Sequence, residues 1–449
     1  MLRLIAVVVS VVALLAPAVA RAQDAEALRR ELDALKRQQE QYQKAIESLS
    51  ERLKRLESQP APAPAPPAPA APVAQAPGGP GGQMTPLSPM DVARPREPFS
   101  LYQQRGAGQL LFDIGVAGDF VGNLTQRNVE KANAGTFGAR ENRFFPREIE
   151  LSLFGQIDPY ARAEVRIESG EDEPGAGTGV TLAEAYLQLL TLPYGTQAKL
   201  GQMRNRFGWS NVVHEHDLPW VDRPDVYRAF LGEEGLTEKG VEATWVPDFL
   251  PFYLEVLGGV FNGDNETAFG LGRLRAPLAT GRVVAFFELT DTMGLQVGTS
   301  VANGVTSDRL QSTLLGYDVK FKYRPEGWLH PLLTLGSEGI YSMREAPGDA
   351  SEKHRFGWYG WAELQPWRRW AFGARYDGTQ YPGMAGYQWA IEPYLTFLPS
   401  EFLRFRAAYK HTERTHRDGF DANGGSGRVV DELLFQATFI LGAHPAHRF

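Results

Sequence analysis

The residues best suited to chemistry fall between about Gly208 and Gly235, where His214, Glu215, His216, Asp217, Asp222, Arg223, Asp225 and Arg228 share one stretch with Trp209, Trp220, Glu233 and Glu234. Alternate residues of an extended segment point the same way, so the imidazoles of His214 and His216 could converge on zinc or another divalent ion, with Asp217 as a further ligand. No third ligand stands at a fixed spacing that would complete a metal motif, and His444 and His447 near the C-terminus are weaker candidates. A nucleophile elbow, a phosphate-cradling glycine loop and a zinc-protease helix are all missing, so neither a chemical step nor a cofactor is expected. The stretch does combine length with charge of both signs. Those are the properties of a loop that folds into an aqueous channel and narrows it.

Such a loop needs a wall, and the rest of the chain supplies a candidate. From about Leu110 to Phe449 the sequence divides into about sixteen segments of alternating apolar and polar residues, beginning with 109–122 and ending with 428–441. Short joints at Asp158-Pro159, Pro193-Tyr194-Gly195, Pro247 to Pro251, Asp291-Thr292, Arg324 to Gly327, Gln365 to Arg368 and Leu398 to Glu401 each follow an even-numbered segment, and longer polar stretches follow most odd ones. This asymmetry is that of a transmembrane β-barrel, a closed sheet that leaves no unpaired backbone in hydrocarbon. The expected fold is therefore all-β, an antiparallel barrel over 106–449. The lipid faces read as Ala161, Ala163, Val165 and Ile167 in the third strand and Leu315, Tyr317, Val319, Phe321 and Tyr323 in the tenth. A lumen of mixed charge follows, with Arg162, Arg166, Lys320, Lys322, Arg324, Arg375, Arg404, Arg406 and Lys410 as a basic ladder able to pass anions. Facing it stand Glu148, Glu150, Glu164, Glu168 and Glu184, which pair with the bases or set up a transverse field.

Ahead of the barrel the sequence changes character three times. Residues 1–22 have a basic start, an apolar run and small residues before Gln23, the pattern of a secretory signal peptide. Residues 23–58 carry a heptad seam (Ala25, Leu28, Leu32, Leu35, Gln39, Tyr42, Ile46, Leu49, Leu53, Leu56) that predicts a coiled coil and hence an oligomer. Residues 59–105 form a linker that from Pro60 to about Gly82 alternates Ala and Pro and then turns Gly-rich, which predicts an extended spacer reaching toward peptidoglycan. The chain has no cysteine, so disulfides and thiolate sites are excluded, and its net charge of -7 argues against nucleic acid as a partner.

Two runs carry a family resemblance: Pro146-Arg147-Glu148-Ile149-Glu150-Leu151, and Lys199-Leu200-Gly201-Gln202-Met203-Arg204-Asn205-Arg206-Phe207-Gly208 leading into the long loop. With the signal peptide, the coil and the terminal Phe449, they make the chain resemble the phosphate-selective porin O/P family from about Arg143 onward. The resemblance implies a trimeric outer-membrane porin of sixteen strands, with residues 208–235 as its constricting third external loop. The mixed lumen departs from the dense basic ladder of the phosphate-binding members. The expectation is thus a homotrimer in outer-membrane lipid, its coil in the periplasm, passing small hydrophilic or ionic solutes, anions among them. The alternatives are a metal or metal-chelate receptor, or a tether between the outer membrane and the cell wall.

Overall fold

In a computed structural model the alternating segments become strands of one continuous ladder. The structure describes residues 112–171, 179–326, 330–346, 349–383, 385–415 and 427–442. The signal peptide, coil and spacer expected over 1–105, and His444, His447 and Phe449, lie outside the described residues.

The strands are β1 (Phe112–Thr125), β2 (Phe144–Asp158), β3 (Ala161–Gly170), β4 (Gly179–Leu192), β5 (Thr196–Arg204), β6 (Thr237–Trp245), β7 (Tyr253–Phe261), β8 (Leu278–Thr290), β9 (Met293–Val305), β10 (Gln311–Tyr323), β11 (Leu332–Ala346), β12 (Asp349–Trp367), β13 (Trp370–Gln380), β14 (Tyr387–Ser400), β15 (Leu403–Thr415) and β16 (Val429–Gly442). Each pairs antiparallel with the next, and β1 pairs with β16 from Gly115↔Gly442 to Thr125↔Glu432. The sheet is therefore a closed sixteen-stranded barrel without a free edge.

The expected boundaries lie within a few residues of these, because the period-two pattern and the Pro/Gly joints both survive folding. Two details differ. Strand β10 closes at Tyr323, so Arg324 leaves the luminal ladder and sits exposed in the following turn. At the opposite end, β11 and β12 run on as a hairpin to Ala346 and Asp349, where a longer loop was expected. Wall height varies as a result: β12 has 19 residues, whereas β5, β6 and β7 have 9 each.

Side chains sort by face. Val241, Val260, Val283, Val297, Val319, Leu335, Phe372, Ile391, Phe405 and Leu433 point outward and are exposed, a continuous apolar band of the kind that faces hydrocarbon. Toward the short joints the band ends in aromatics, among them Tyr160, Tyr194, Trp245, Phe249, Trp367 and the close pair Trp370 and Phe397, which fits the aromatic girdle of a membrane interface.

Backbone sterics fix one position where β4 meets β5. Gly201 has φ +137°, and a Cβ there would press on the carbonyl of Ala185. G201A should therefore lower stability by roughly 1–3 kcal/mol, read as a lower urea midpoint for loss of the heat-modifiable barrel band. An unchanged midpoint would show that this pairing relaxes freely.

Candidate functional site

The connection between β5 and β6 turns into the barrel. Gly208 (φ +71°) opens it, and Gly232 and Gly235 (φ +84° and +68°) turn it back toward β6. A Cβ on Gly208 would meet the Tyr227 hydroxyl and, at 2.8 Å, a carboxylate oxygen of Glu338. Between these glycines lie 3₁₀ turns at Ser210–Val212 and Glu215–Asp217 and a short helix, α1 (Asp225–Leu231), that follows Pro224 and ends at Gly232. Val226, Tyr227, Phe230 and Leu231 of α1 are all buried, and the helix lies against β11, β12 and β13.

Two kinds of contact hold the loop inside. The apolar one centres on Trp220, fully buried and edge-on to Tyr359 (5.4 Å) and Trp361 (5.3 Å), with Trp209 stacked on Trp361 at 6.0 Å. Burying a side chain of this size contributes roughly 1.5–3 kcal/mol, and the edge-to-face geometry adds to it. The polar contact is a network across β13, β14 and β15. Asp222 binds Arg375 at 2.7 Å and Lys410 at 2.6 Å, and Lys410 also binds Asp225 at 2.8 Å. Arg375 reaches Asp377 at 2.6 Å and Glu392 at 2.8 Å, and donates through Nη1 to the Asp222 carbonyl. Nearby, Arg406 donates to the Trp220 carbonyl at 2.8 Å. The Glu338 carboxylate accepts from the Ser210 hydroxyl at 2.6 Å, the Trp209 amide and the Tyr359 hydroxyl.

The two histidines do not form the expected pair with Asp217. Glu215–Asp217 curl into a 3₁₀ turn instead of extending, which leaves the imidazole centroids 5.7 Å apart. His216 contacts Glu148 at 3.0 Å and Asp217 at 3.1 Å, whereas His214 turns to Glu150 and Glu168. Burial, Arg204 and Arg166 all disfavour a charged His214. The carboxylates of Glu150 and Glu148 outweigh them and raise its pKa to about 10.

The other expected site residues divide by depth. Glu148, Glu150, Glu164, Arg166, Glu168, Glu184, Lys320, Arg406 and Lys410 are buried against the loop or each other, as in the 2.7 Å pair of Arg166 with Glu164. Lys320 lies 4.0 Å over the Trp209 ring. Within the loop, Arg223 faces Glu215 at 3.5 Å, Glu215 faces Arg147 at 3.4 Å, and Arg228 pairs with Glu233 at 2.7 Å. Arg162, Lys322 and Arg404 lie toward the short joints and keep part of their surface in solvent, apart from the loop. The basic residues therefore do not form one continuous ladder. Those in the middle of the barrel are bound by loop and wall carboxylates, backbone carbonyls and an aromatic face.

Sequence reasoning missed Glu338, Tyr359, Trp361, Asp377 and Glu392, which complete the loop's seat. A signal for two of them existed: β12 carries aromatics on both faces, Phe356 and Trp358 outward and Tyr359 and Trp361 inward, and a water-filled lumen gives no reason for the inward pair.

No family model matches the chain. A protein of Aquifex aeolicus (strain VF5), described as uncharacterized, is 29% identical over 343 residues, covering 67% of this chain and 69% of that protein. Among solved structures, the chain is similar to an anion-selective porin from Comamonas acidovorans, with 11% identity and a TM-score of 0.50 over 74% of this chain and 100% of the porin. The outer membrane channel DcaP of Acinetobacter baumannii gives 12% identity and a TM-score of 0.49 over 76% of this chain and 100% of DcaP. At such identities the likeness to the Comamonas porin shows a shared barrel fold.

Two predictions follow from the polar seat. R375A strips Asp222, Asp377 and Glu392 of a common partner, and breaking a buried pair of this kind costs about 3–5 kcal/mol. Hydrogen exchange of the 218–231 peptide should rise sharply in the variant, and unchanged protection would mean the aromatic contacts suffice. The second concerns pH. Burial alone would raise the Asp222 carboxyl, but Arg375 and Lys410 hold it well below the usual carboxylate range. A depressed carboxyl stabilises the fold above its unfolded value of about 3.9 and loses that contribution only as pH falls through the lower folded value. The melting difference between wild type and D222N should therefore persist from neutral pH down to about 4 and shrink below it. A difference that vanished between pH 6 and 5 would contradict the assignment.

Proposed function

We propose that this chain is an outer-membrane channel of the porin type, through which small hydrophilic or ionic solutes diffuse passively. What carries the reading is a closed barrel with an apolar outer band and a polar inner face, whose lumen is entered by its own 205–236 loop. The loop sets the size limit, and the charges left accessible beside it set ion preference. In this reading the short joints face the periplasm and the β5–β6 loop enters from outside. Sixteen strands also fit a porin better than a plugged active receptor, which needs about 22. Homotrimer assembly and a periplasmic coil that reaches peptidoglycan belong to the same proposal, supported by the heptad seam and the Ala/Pro spacer of the sequence.

The preferred solutes are anions. On the short-joint side of the loop, the inward side chains that keep solvent contact include Arg162, Lys199, Lys322 and Arg404, against Asp113, Glu288 and Glu363, a balance that still favours the bases. A basic mouth with low-dielectric walls concentrates anions in front of the constriction.

In planar bilayers under a salt gradient, the purified protein should show stepwise openings with an anion-favouring reversal potential, and replacing 213–231 by a short Gly/Ser link should enlarge each step. R404A combined with K322A should move the reversal potential toward cations. Silence from both the wild type and the loop-shortened barrel, each folded and heat-modifiable, would overturn the channel reading.

A further inference from the structure

Where the loop meets β2 and β3, three carboxylates surround a single ring nitrogen. Nδ1 of His214 lies 2.9 Å from Glu150, 3.0 Å from Glu168 and 3.7 Å from Glu148, and the four donor atoms all fall within 4.8 Å of one another. All four residues are buried, His214 to 1% exposure. A proton on Nδ1 points along one line, and here it makes a well-aligned hydrogen bond to Glu168, leaving the other two carboxylates crowded around the same atom. The far side of the ring adds a second observation: Nε2 of His214 is buried and has no hydrogen-bond partner. The ring is therefore held by its Nδ1 side alone, which faces the carboxylates.

A metal ion on Nδ1 gives the three carboxylates one shared partner, with the ring proton carried on Nε2. The dimensions agree. Bonds of about 2.0–2.1 Å in a tetrahedron separate the donors by roughly 3.3 Å, and the three nitrogen–oxygen distances bracket that value. Each carboxylate is also held from outside the cluster: Glu150 by Arg166 at 3.3 Å, Glu168 by Arg204 at 3.8 Å and Glu148 by His216 at 3.0 Å. Such outer contacts orient metal ligands. Three oxygens and one imidazole, closed and four-coordinate, suit a borderline first-row ion, whereas calcium and magnesium seek six or more oxygens or retained water.

We propose that Glu148, Glu150, Glu168 and His214 form a binding site for one divalent cation of the zinc class, which fastens the loop to the wall at β2 and β3. The site stands apart from the His214–His216–Asp217 set that the sequence suggested, since it draws its oxygens from two strands and only its nitrogen from the loop. It requires the loop to be docked and does not require the barrel to conduct.

The test uses the untagged full-length barrel, stripped with chelator and titrated calorimetrically with zinc sulfate. One saturable equivalent per chain is expected, and H214A and E168Q, each confirmed as a heat-modifiable barrel, should weaken it at least about tenfold. Zinc K-edge absorption on the wild type should report one imidazole among oxygen ligands, a readout that does not depend on either variant folding. The proposal is overturned by absence of saturable binding at micromolar zinc, by affinity that both variants retain, which would move the ion elsewhere, for example to His444 and His447, or by an all-oxygen edge spectrum. Because no conductance is measured, failure here is separate from failure of the channel reading.

Discussion

The structure depends on satisfying polar side chains that the barrel wall turns inward and the loop then removes from water. Alternation places Glu150, Arg166, Asp318, Arg375, Glu392 and Lys410 on the inner face, where solvent would satisfy them in an open pore. Once the 205–236 loop occupies that space each needs a protein partner, and the loop brings Asp222, Asp225, His214 and the carbonyls of Trp220 and Asp222. The wall completes the remainder itself, as where Arg282 grips Asp318 at 2.6 Å. Ion pairs in such surroundings roughly break even against their own desolvation, so the net gain of docking comes from Trp220, Tyr227, Phe230 and Leu231. The charges decide the one seating in which that apolar burial is allowed.

Apolar anchor and charged frame thus have separate tasks. Moving α1 by a single residue would still bury leucine and phenylalanine somewhere, but it would strand Asp222 away from Arg375 and Lys410. The cost of an unpaired buried charge is steep enough to make the seat specific. The same division explains the unequal character of the lumen. In the middle of the barrel Arg375, Lys410, Arg406 and Lys320 are engaged by the loop and Arg166 and Arg282 by wall carboxylates, while Arg162, Lys322 and Arg404 near the short joints keep water contact.

The wall was legible in the sequence because a strand between lipid and a polar interior has little choice of pattern: Val319, Phe321 and Tyr317 alternate with Asp318, Lys320 and Lys322, and Pro/Gly joints punctuate the runs. The loop was legible as a long, charged segment able to turn inward. Its seat was not. Whether Asp222 meets Arg375 or Arg404 depends on the stagger of strands more than 150 positions away, and closure of the barrel alone fixes that stagger. The histidine pairing failed for a local reason, since His214-Glu215-His216 was read as extended and the chain instead coils at Glu215–Asp217. Trp209 and Trp220 were visible as loop residues, but nothing near them in sequence disclosed that Tyr359 and Trp361 wait on the opposite wall.

The three shortest strands, β5, β6 and β7, flank the point where the loop leaves the wall, and their 9 residues each are the least a tilted strand needs to cross hydrocarbon. The barrel is therefore lopsided in height, tall at β12 and low on this flank. On this flank the strands supply no more than the crossing demands, while β11 and β12 rise past it at the end away from the short joints. The loop consequently leaves the wall where the barrel adds no height beyond the crossing itself, so its rim there lies low beside the tall β11–β12 hairpin.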